Sequence, residues 1–179
     1  MNKPLLLVVT GRPGSGKTTL AKKLGEKAYL PVISRDEIKE GYVRTMGLAH
    51  DELPDGNRIA TDQFFKTVEG LLCGGVSVVA EAAFQHKLWS AKLEPLLDKA
   101  RVVMIVCQPG DDRTAYERYL RRREQEPMRR YFHGDAGDRQ SGPPVYDPPH
   151  MDIETICVDT TDGYAPEIGA LLGEILGQG

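Results

Sequence analysis

Apolar residues in this chain alternate between short continuous runs and stretches with helical spacing. The continuous runs predict five strands, at 5–9, 30–33, 76–80, 101–107 and 153–158. Apolar residues three or four positions apart predict helices between and after them, at 20–28, 34–46, 64–72, 86–99, 113–126 and 168–176. Strands that are apolar along their whole length are buried on both faces. The alternation therefore predicts an α/β fold, with a parallel sheet covered by helices on both sides.

A polar segment at 127–149 interrupts this alternation. It is rich in Gly, Pro, Asp, His and Arg and contains few apolar residues, so it is expected to be irregular. A long irregular stretch inside a compact domain is usually a mobile functional element. Together with the arginine-rich helix before it, the segment predicts a lid at about 113–150. With 179 residues, the chain is expected to form a single domain, 1–179.

Composition restricts the class of protein. A hydrophobic content of 40% and a charged content of 27% are ordinary for a globular protein. No apolar run reaches the length of a membrane span, and the N-terminus lacks the pattern of a signal peptide, so a cytoplasmic protein with no membrane contact is expected. Cys73, Cys107 and Cys157 lie far apart, in or beside apolar runs. They are predicted to be buried thiols rather than disulfides or metal ligands.

The charge is unevenly distributed. The net charge of −3 argues against an obligate nucleic-acid binder. Residues 113–139 nevertheless hold eight arginines against five acidic residues, so the rest of the chain carries about −6. This local excess of positive charge indicates an anion site in the predicted lid.

The most specific signal is the stretch GRPGSGKT at 11–18, which matches the phosphate-binding pattern G-x-x-x-x-G-K-[ST]. A buried strand precedes it and a helix follows, so backbone N–H groups and the helix dipole would converge on a phosphate. Lys17 would contact the β- and γ-phosphates of ATP, and the Thr18 hydroxyl would bind Mg²⁺. The alternative is a glycine-rich turn without a ligand. The predicted nucleotide contacts in this region are Gly11, Arg12, Pro13, Gly14, Ser15, Gly16, Lys17, Thr18 and Thr19.

Asp36 follows the second predicted strand, at the edge of a parallel sheet where ligands bind. A carboxylate there could accept the proton of a substrate hydroxyl as a general base. Arg35 and Lys39 could hold an anionic substrate, or they could be solvated surface charges. Ser34 and Glu37 have the spacing of a capping box, so a role for this stretch in capping the helix is the alternative.

Glu81 ends the third predicted strand at the same edge. A carboxylate at this position could bind Mg²⁺ or orient the substrate. A buried carboxylate at the end of a strand seldom serves packing alone. Arg118 and Arg122 lie on one face of the arginine-rich helix and are candidates for stabilising the transferred phosphoryl group. The alternative is a solvated helix with ion pairs. His133 and His150 show no metal-ligand spacing and are assigned no role.

The motifs at 11–19, 33–39, 78–84 and 158–161, together with the lid, occur in the order found in small P-loop kinases. The chain resembles AAA_33-like members of that group, in particular polynucleotide 5′-kinase domains and chloramphenicol-phosphotransferase-like proteins. The resemblance implies the P-loop NTPase fold with sheet order 2-3-1-4-5. It also implies that Asp36 is the general base, that Arg122 or a neighbour is a lid arginine, and that Asp159 and Thr160 lie near the adenine.

These features together predict an ATP-dependent kinase that phosphorylates a hydroxyl group of a small molecule, with ATP and Mg²⁺ as cofactors. Segment 40–56 contains four acidic residues and one arginine, so an acidic wall suited to a neutral or cationic acceptor is expected. Nucleic acid is not expected as a partner, and the protein should be a monomer or a weak homodimer. The alternatives are a polynucleotide 5′-hydroxyl kinase, and a nucleotide-binding module or ATPase switch without a small-molecule acceptor.

Overall fold

The central feature of the computed structural model, which describes residues 3–134 and 145–177, is a parallel sheet. Its strands are β1 (Leu5–Thr10), β2 (Val32–Ser34), β3 (Val78–Glu81), β4 (Arg101–Gln108) and β5 (Glu154–Asp159). They are hydrogen-bonded in the order β2-β3-β1-β4-β5, which confirms the order that the resemblance implied. Residues 135–144 of the predicted lid lie outside the described residues.

Helices cover both faces of this sheet. They are α1 (Lys17–Ala28), α2 (Arg35–Met46), α3 (Gly56–Cys73), α4 (His86–Leu93), α5 (Asp112–Gln125), α6 (Met128–His133) and α7 (Ile168–Leu176). Two differ in kind from the prediction, and α3 begins at Gly56 rather than at 64. The helix expected at 86–99 passes into a 3-10 turn at Glu94–Leu96, because Pro95 has no N–H to donate within a helix. The segment expected to be irregular contains α6, which polar composition did not reveal.

Two apolar layers hold the helices to the sheet. On one face, Phe64 of α3 packs with Phe84 and Trp89 against the strands. On the other face, Leu24 of α1 and Ile175 of α7 are fully buried. Full burial of such side chains contributes about 1.5–3 kcal/mol each, so the helices that carry the site are firmly anchored.

The strand register places three parts of the predicted site at one edge of the sheet. Glu81, the last residue of β3, is opposite Val9 of β1 and Ser34 of β2. The chain enters the phosphate-binding loop immediately after β1 and helix α2 immediately after β2. The carboxyl ends of these strands therefore gather the loop, Asp36 and Glu81 around one cleft.

The cysteines correct one prediction. Cys107 in β4 is buried, but Cys73 and Cys157 are exposed, and all three are free thiols. Cys157 lies in β5, an edge strand on which exposed and covered residues alternate. An apolar neighbourhood in sequence therefore did not guarantee burial. Among the described residues, the helices are all too short or too polar to cross a membrane.

Candidate active site

The phosphate-binding loop connects β1 to α1 and leaves the N-terminus of the helix open. Gly16, the residue before α1, has a φ of 82°, and no side chain caps the helix there. Gly14 has a φ of 83°, and a Cβ at this position would collide with the carbonyl of Ala115 in α5. Glycine is therefore required at Gly14 both for its backbone conformation and for the close approach of α5.

Other residues of the loop are held from outside it. Thr160 donates a hydrogen bond to the carbonyl of Ser15 at 2.7 Å, and Arg12 forms an ion pair with Asp112 at 2.7 Å. The Ser15 hydroxyl is buried and has no hydrogen-bond partner among the described residues. A buried hydroxyl without a partner is costly, so it suits a ligand with hydrogen-bonding oxygens, such as a phosphate. Thr19 is exposed on α1.

Glu81 is only 2% exposed, and two hydroxyl groups donate to it. Its oxygens accept hydrogen bonds from Ser34 at 2.7 Å and from Thr18 at 3.2 Å. Burial raises the pKa of Glu81, although the charge of Lys17 and the Ser34 hydrogen bond act in the opposite direction. The capping interpretation of Ser34 is wrong, because its hydroxyl is directed to Glu81 and makes no cap hydrogen bond to α2.

Asp36 lies in the first turn of α2 with a half-exposed side chain. Burial raises its pKa, but the opposing charges of His133, Lys17 and Arg35 are stronger together, so the pKa of Asp36 is lowered overall. The carboxylate is therefore ionised at neutral pH. An ionised carboxylate that faces the cleft can accept a proton.

Arg35 and Lys39 both line the same cleft. Arg35 donates to Asp36 at 3.3 Å and to the side chain of Asn57 at 2.8 Å, so the first residues of α3 hold its guanidinium in place. Lys39 is only 3% exposed. Neither side chain is the freely solvated surface charge that the alternative interpretation required.

The lid arginines occupy two different places. Arg118 donates to the carbonyls of Thr160 at 2.9 Å and Thr161 at 2.6 Å and does not line the cleft. Arg122 lines the cleft, where its Nε contacts Glu126 at 3.1 Å. Arg122 thus lies at the cleft and its role toward the phosphates stays a prediction, whereas Arg118 holds the turn after β5. The cleft is also lined by Arg123, Arg129 and Arg130.

The turn at 159–161 lies against the phosphate-binding loop. Asp159 accepts hydrogen bonds from the backbone N–H of Thr161 at 2.7 Å and from its hydroxyl at 2.6 Å. Thr160 contacts the loop directly through Ser15. The turn therefore lies next to the loop that would bind the phosphates. The role of Asp159 and Thr160 in binding the adenine stays a prediction.

Helix α6 is docked on α2. His133 of α6 contacts Glu40 at 2.8 Å, and the guanidinium of Arg44 lies 5.3 Å from the ring centre of Phe132. This contact brings His133 to the cleft wall, although sequence reasoning assigned it no role. No sequence signal could reveal this position, because it depends on two helices that are distant in the chain.

Sequence reasoning also missed Asn57 and Tyr146. Asn57 holds Arg35 from the start of α3. The Tyr146 hydroxyl makes a short hydrogen bond with Thr10 at the end of β1, and burial raises the pKa of Tyr146 to about 12. Tyr146 thus supports the chain where it enters the phosphate-binding loop. A single tyrosine in a polar segment gave no signal of this contact.

The predicted acidic wall is wrong. Glu40 pairs with His133, Glu52 accepts from the backbone N–H of Ala49 at 2.9 Å, and Asp55 accepts from Arg58 at 3.2 Å. These acids and Asp51 are absent from the described residues that line the cleft. Of the four acids only Glu40 belongs to α2, and the helical twist places Arg35 and Lys39, not Glu40, at the cleft.

The cleft has a volume of about 750 Å³, within the usual range for small-molecule sites. Its walls combine the phosphate-binding loop, α2 and the lid helices, with Asp36 and Lys17 facing the same space. No group of three or more His, Cys, Asp or Glu side chains within 3–134 and 145–177 is placed to hold a metal ion. A metal here would need ligand oxygens in addition to Thr18 and Glu81.

Comparisons with known proteins agree with this architecture. The model of the AAA domain family AAA_33 matches residues 6–141. A candidate kinase from Chloroflexus aurantiacus J-10-fl has a similar structure, with a TM-score of 0.83, 24% identity and 98% of each chain covered. Among curated proteins, sequence comparison found no relative.

Two further solved structures share the fold at lower similarity. Shikimate kinase from Acinetobacter baumannii aligns with a TM-score of 0.57 and 19% identity over 99% of this chain and 95% of that one. A gluconokinase from Sinorhizobium meliloti 1021 aligns with a TM-score of 0.52 and 17% identity over 99% of both chains. The α/β P-loop kinase-like fold predicted from the sequence is therefore confirmed.

Proposed function

The chain belongs to the AAA domain family AAA_33, and on that premise we propose that it is an ATP-dependent kinase that phosphorylates a hydroxyl group of a small molecule. The observation that carries the proposal is that Lys17 and Asp36 line one cleft beneath lid arginines. A nucleotide-binding module without turnover does not need a proton acceptor beside the phosphate site. Two structures with the same fold are named as kinases of small molecules, which supports this choice.

The proposed reaction uses Asp36 as the general base. As the acceptor oxygen forms its bond to the γ-phosphorus, the bond from that phosphorus to the β–γ bridging oxygen breaks and ADP leaves. Asp36 takes the proton of the acceptor hydroxyl. Lys17 and the arginines that line the cleft, Arg122 foremost, offset the negative charge on the phosphates.

Magnesium fits the residues present. Thr18 supplies a hydroxyl oxygen and Glu81 a carboxylate, 3.2 Å apart, and oxygen atoms are the ligands that Mg²⁺ prefers. These two residues would hold the ion together with phosphate oxygens. When bound, Mg²⁺ would offset negative charge on the phosphates.

Glu81→Gln is expected to remove most of the effect of Mg²⁺ on nucleotide binding, because it replaces the carboxylate with a neutral amide. In the native protein, ATP with Mg²⁺ should raise Tm more than ATP with EDTA, and in the variant this difference should shrink. The raised pKa of Glu81 also predicts that the Mg²⁺ effect weakens as pH falls toward that pKa, since protonation removes the charge.

Differential scanning fluorimetry over a range of Mg²⁺ concentrations would measure both effects. Glu37→Gln is the matched control, because Glu37 is exposed on α2 and pairs with Lys22. The variant protein should fold, since the amide oxygen can still accept from Ser34 and the amide NH₂ can donate to the Thr18 hydroxyl. An unchanged Mg²⁺ effect in Glu81→Gln would show that the ion is bound elsewhere.

The proposed function is tested by measuring ADP release from ATP with a panel of sugars, polyols, hydroxy acids and aminated antibiotics. We expect release that depends on one class of hydroxyl compound, and a phosphorylated product detectable by mass spectrometry. Equal ADP release with and without every compound would favour an ATPase switch. Transfer to a 5′-hydroxyl oligonucleotide in preference to all small molecules would favour a polynucleotide kinase.

A further inference from the structure

Lys39 is a buried cation that has no counter-ion among the described residues. It is 3% exposed, lies in α2 and lines the cleft. Within the described part of the chain, its ammonium group makes neither an ion pair nor a hydrogen bond. An unpaired charge in such a place is unfavourable unless a ligand compensates it.

Arg35, which lines the same cleft, carries a second polar group that lacks a partner among the described residues. Its Nη atoms are bound by Asp36 and Asn57, which hold the guanidinium in a fixed orientation. Its Nε is buried and has no hydrogen-bond partner among the described residues. A guanidinium held in this way is suited to planar anions such as carboxylates and to phosphates.

Arg35 and Lys39 lie on a different helix from the residues that would bind the ATP phosphates. The phosphate-binding loop and Lys17 lie at the start of α1, whereas Arg35 and Lys39 lie on α2 beside the proposed base. Lys39 follows Asp36 by three residues, so their Cβ atoms are about 5–6 Å apart on one helix face. A compound whose hydroxyl faces Asp36 would therefore place a group a few bonds away near Lys39.

We propose that the acceptor is a small hydroxyl compound that carries an anionic group, a carboxylate or a phosphate, and that Arg35 and Lys39 bind that group. His133 and Arg130 of α6, which is docked on α2, also line the cleft. The inference rests on the proposed function, because it names the substrate class of that site. It replaces the neutral or cationic acceptor that the acidic composition of segment 40–56 predicted.

The electrostatics of Lys39 agree with an anion site. Burial lowers the pKa of Lys39 to about 8, with Arg35 acting in the same direction. Asp36, Asp51 and Glu40 raise it by their charge, but none is close enough for an ion pair. Lys39 is still largely protonated at neutral pH, and a bound anion would stabilise that charge.

The first test measures binding in the presence of a non-hydrolysable ATP analogue. Calorimetry would compare pairs that differ in charge, D-gluconate with D-glucitol and glycerol 3-phosphate with glycerol, and would include kanamycin as a cationic compound. We expect one anionic member to bind at least about tenfold more tightly than its neutral partner. The pair that responds distinguishes a carboxylate from a phosphate.

Lys39→Met should abolish this preference for the anion, while Lys39→Arg should keep part of it. Lys27→Met is the matched control, because Lys27 is exposed on α1 and should leave binding unchanged. Binding of the anion by the native protein should weaken as pH rises through about 8, where Lys39 loses its proton. Lys39→Met should show no such pH dependence, and without ligand its Tm should be a few degrees higher, because an unpaired buried charge is removed.

Three results would overturn this inference. They are equal binding of the charged and neutral partners, a preference for kanamycin, and no binding of any anion while the ATP analogue binds. Transfer to neutral compounds alone would overturn it and leave the proposed kinase function intact. Absence of ADP release with every compound would refute the proposed function, while the binding comparison would still decide whether the anion site exists. Preferential transfer to an oligonucleotide would overturn the assignment of a small acceptor.

Discussion

Lys17→Ala is expected to lower kcat for phosphoryl transfer by at least about 10²–10³-fold. Lys17 is the cation of the phosphate-binding loop that lines the cleft, and its removal leaves the charge of the β- and γ-phosphates uncompensated at that point. ADP release with the best acceptor, together with binding of ATP measured by calorimetry, would quantify the loss. Lys22→Ala is the control, since Lys22 is an exposed lysine of the same helix.

Folding should survive the change at Lys17. The side chain is buried, but it faces the cleft and belongs to neither apolar layer. The far-UV circular dichroism spectrum should therefore match that of the native protein. Turnover close to native in Lys17→Ala would rule out phosphate binding by this loop as the basis of the reaction.

Asp36→Asn is expected to lower kcat by roughly 10²–10⁴-fold with little change in the affinity for ATP. The amide preserves the shape of the side chain but cannot take the proton of the acceptor hydroxyl. Because Asp36 has a lowered pKa, the native carboxylate stays ionised down to pH values below its ordinary 3.8. Loss of the base by protonation should therefore not limit kcat between about pH 5 and pH 8.

Steady-state kinetics with ATP and acceptor varied separately would separate kcat from binding. Asp98→Asn, at an exposed position after α4, is the matched control and should behave like the native protein. Asp36 also contributes stability above its ordinary pKa that is lost as pH falls through the lowered pKa in the folded state. A lowered Tm with native kcat in Asp36→Asn would indicate that Asp36 only stabilises the start of α2.

Much of the fold could be predicted from local pattern. The inner strands β1, β3 and β4 are continuous apolar runs because the parallel sheet buries them on both faces, and the structure places all five strands within two or three residues of the expected positions. The phosphate-binding loop was recognisable because its chemistry lies in consecutive residues. The positive φ angles of Gly14 and Gly16 and the charge of Lys17 belong to the loop itself, although the approach of α5 adds a second reason for glycine at Gly14.

The rest of the site depends on contacts between distant segments. Ser34 had the spacing of a helix cap, but the strand register places Glu81 beside it, and that buried carboxylate competes successfully for the hydroxyl. Arg118 and Arg122 lie on one helical face in sequence, yet only Arg122 lines the cleft, because the turn after β5 binds Arg118.

Tertiary structure also decided which charged side chains line the cleft beside Asp36. Counting charges along 40–56 treated the whole segment as one surface, whereas a helix directs successive side chains in different directions. The packing of α6 on α2 pairs Glu40 with His133, which removes that carboxylate from the cleft. The sequence by itself determined that this protein has a phosphate-binding α/β fold, while only the tertiary structure decided that Arg35 and Lys39, and not the acids of segment 40–56, line the cleft beside Asp36.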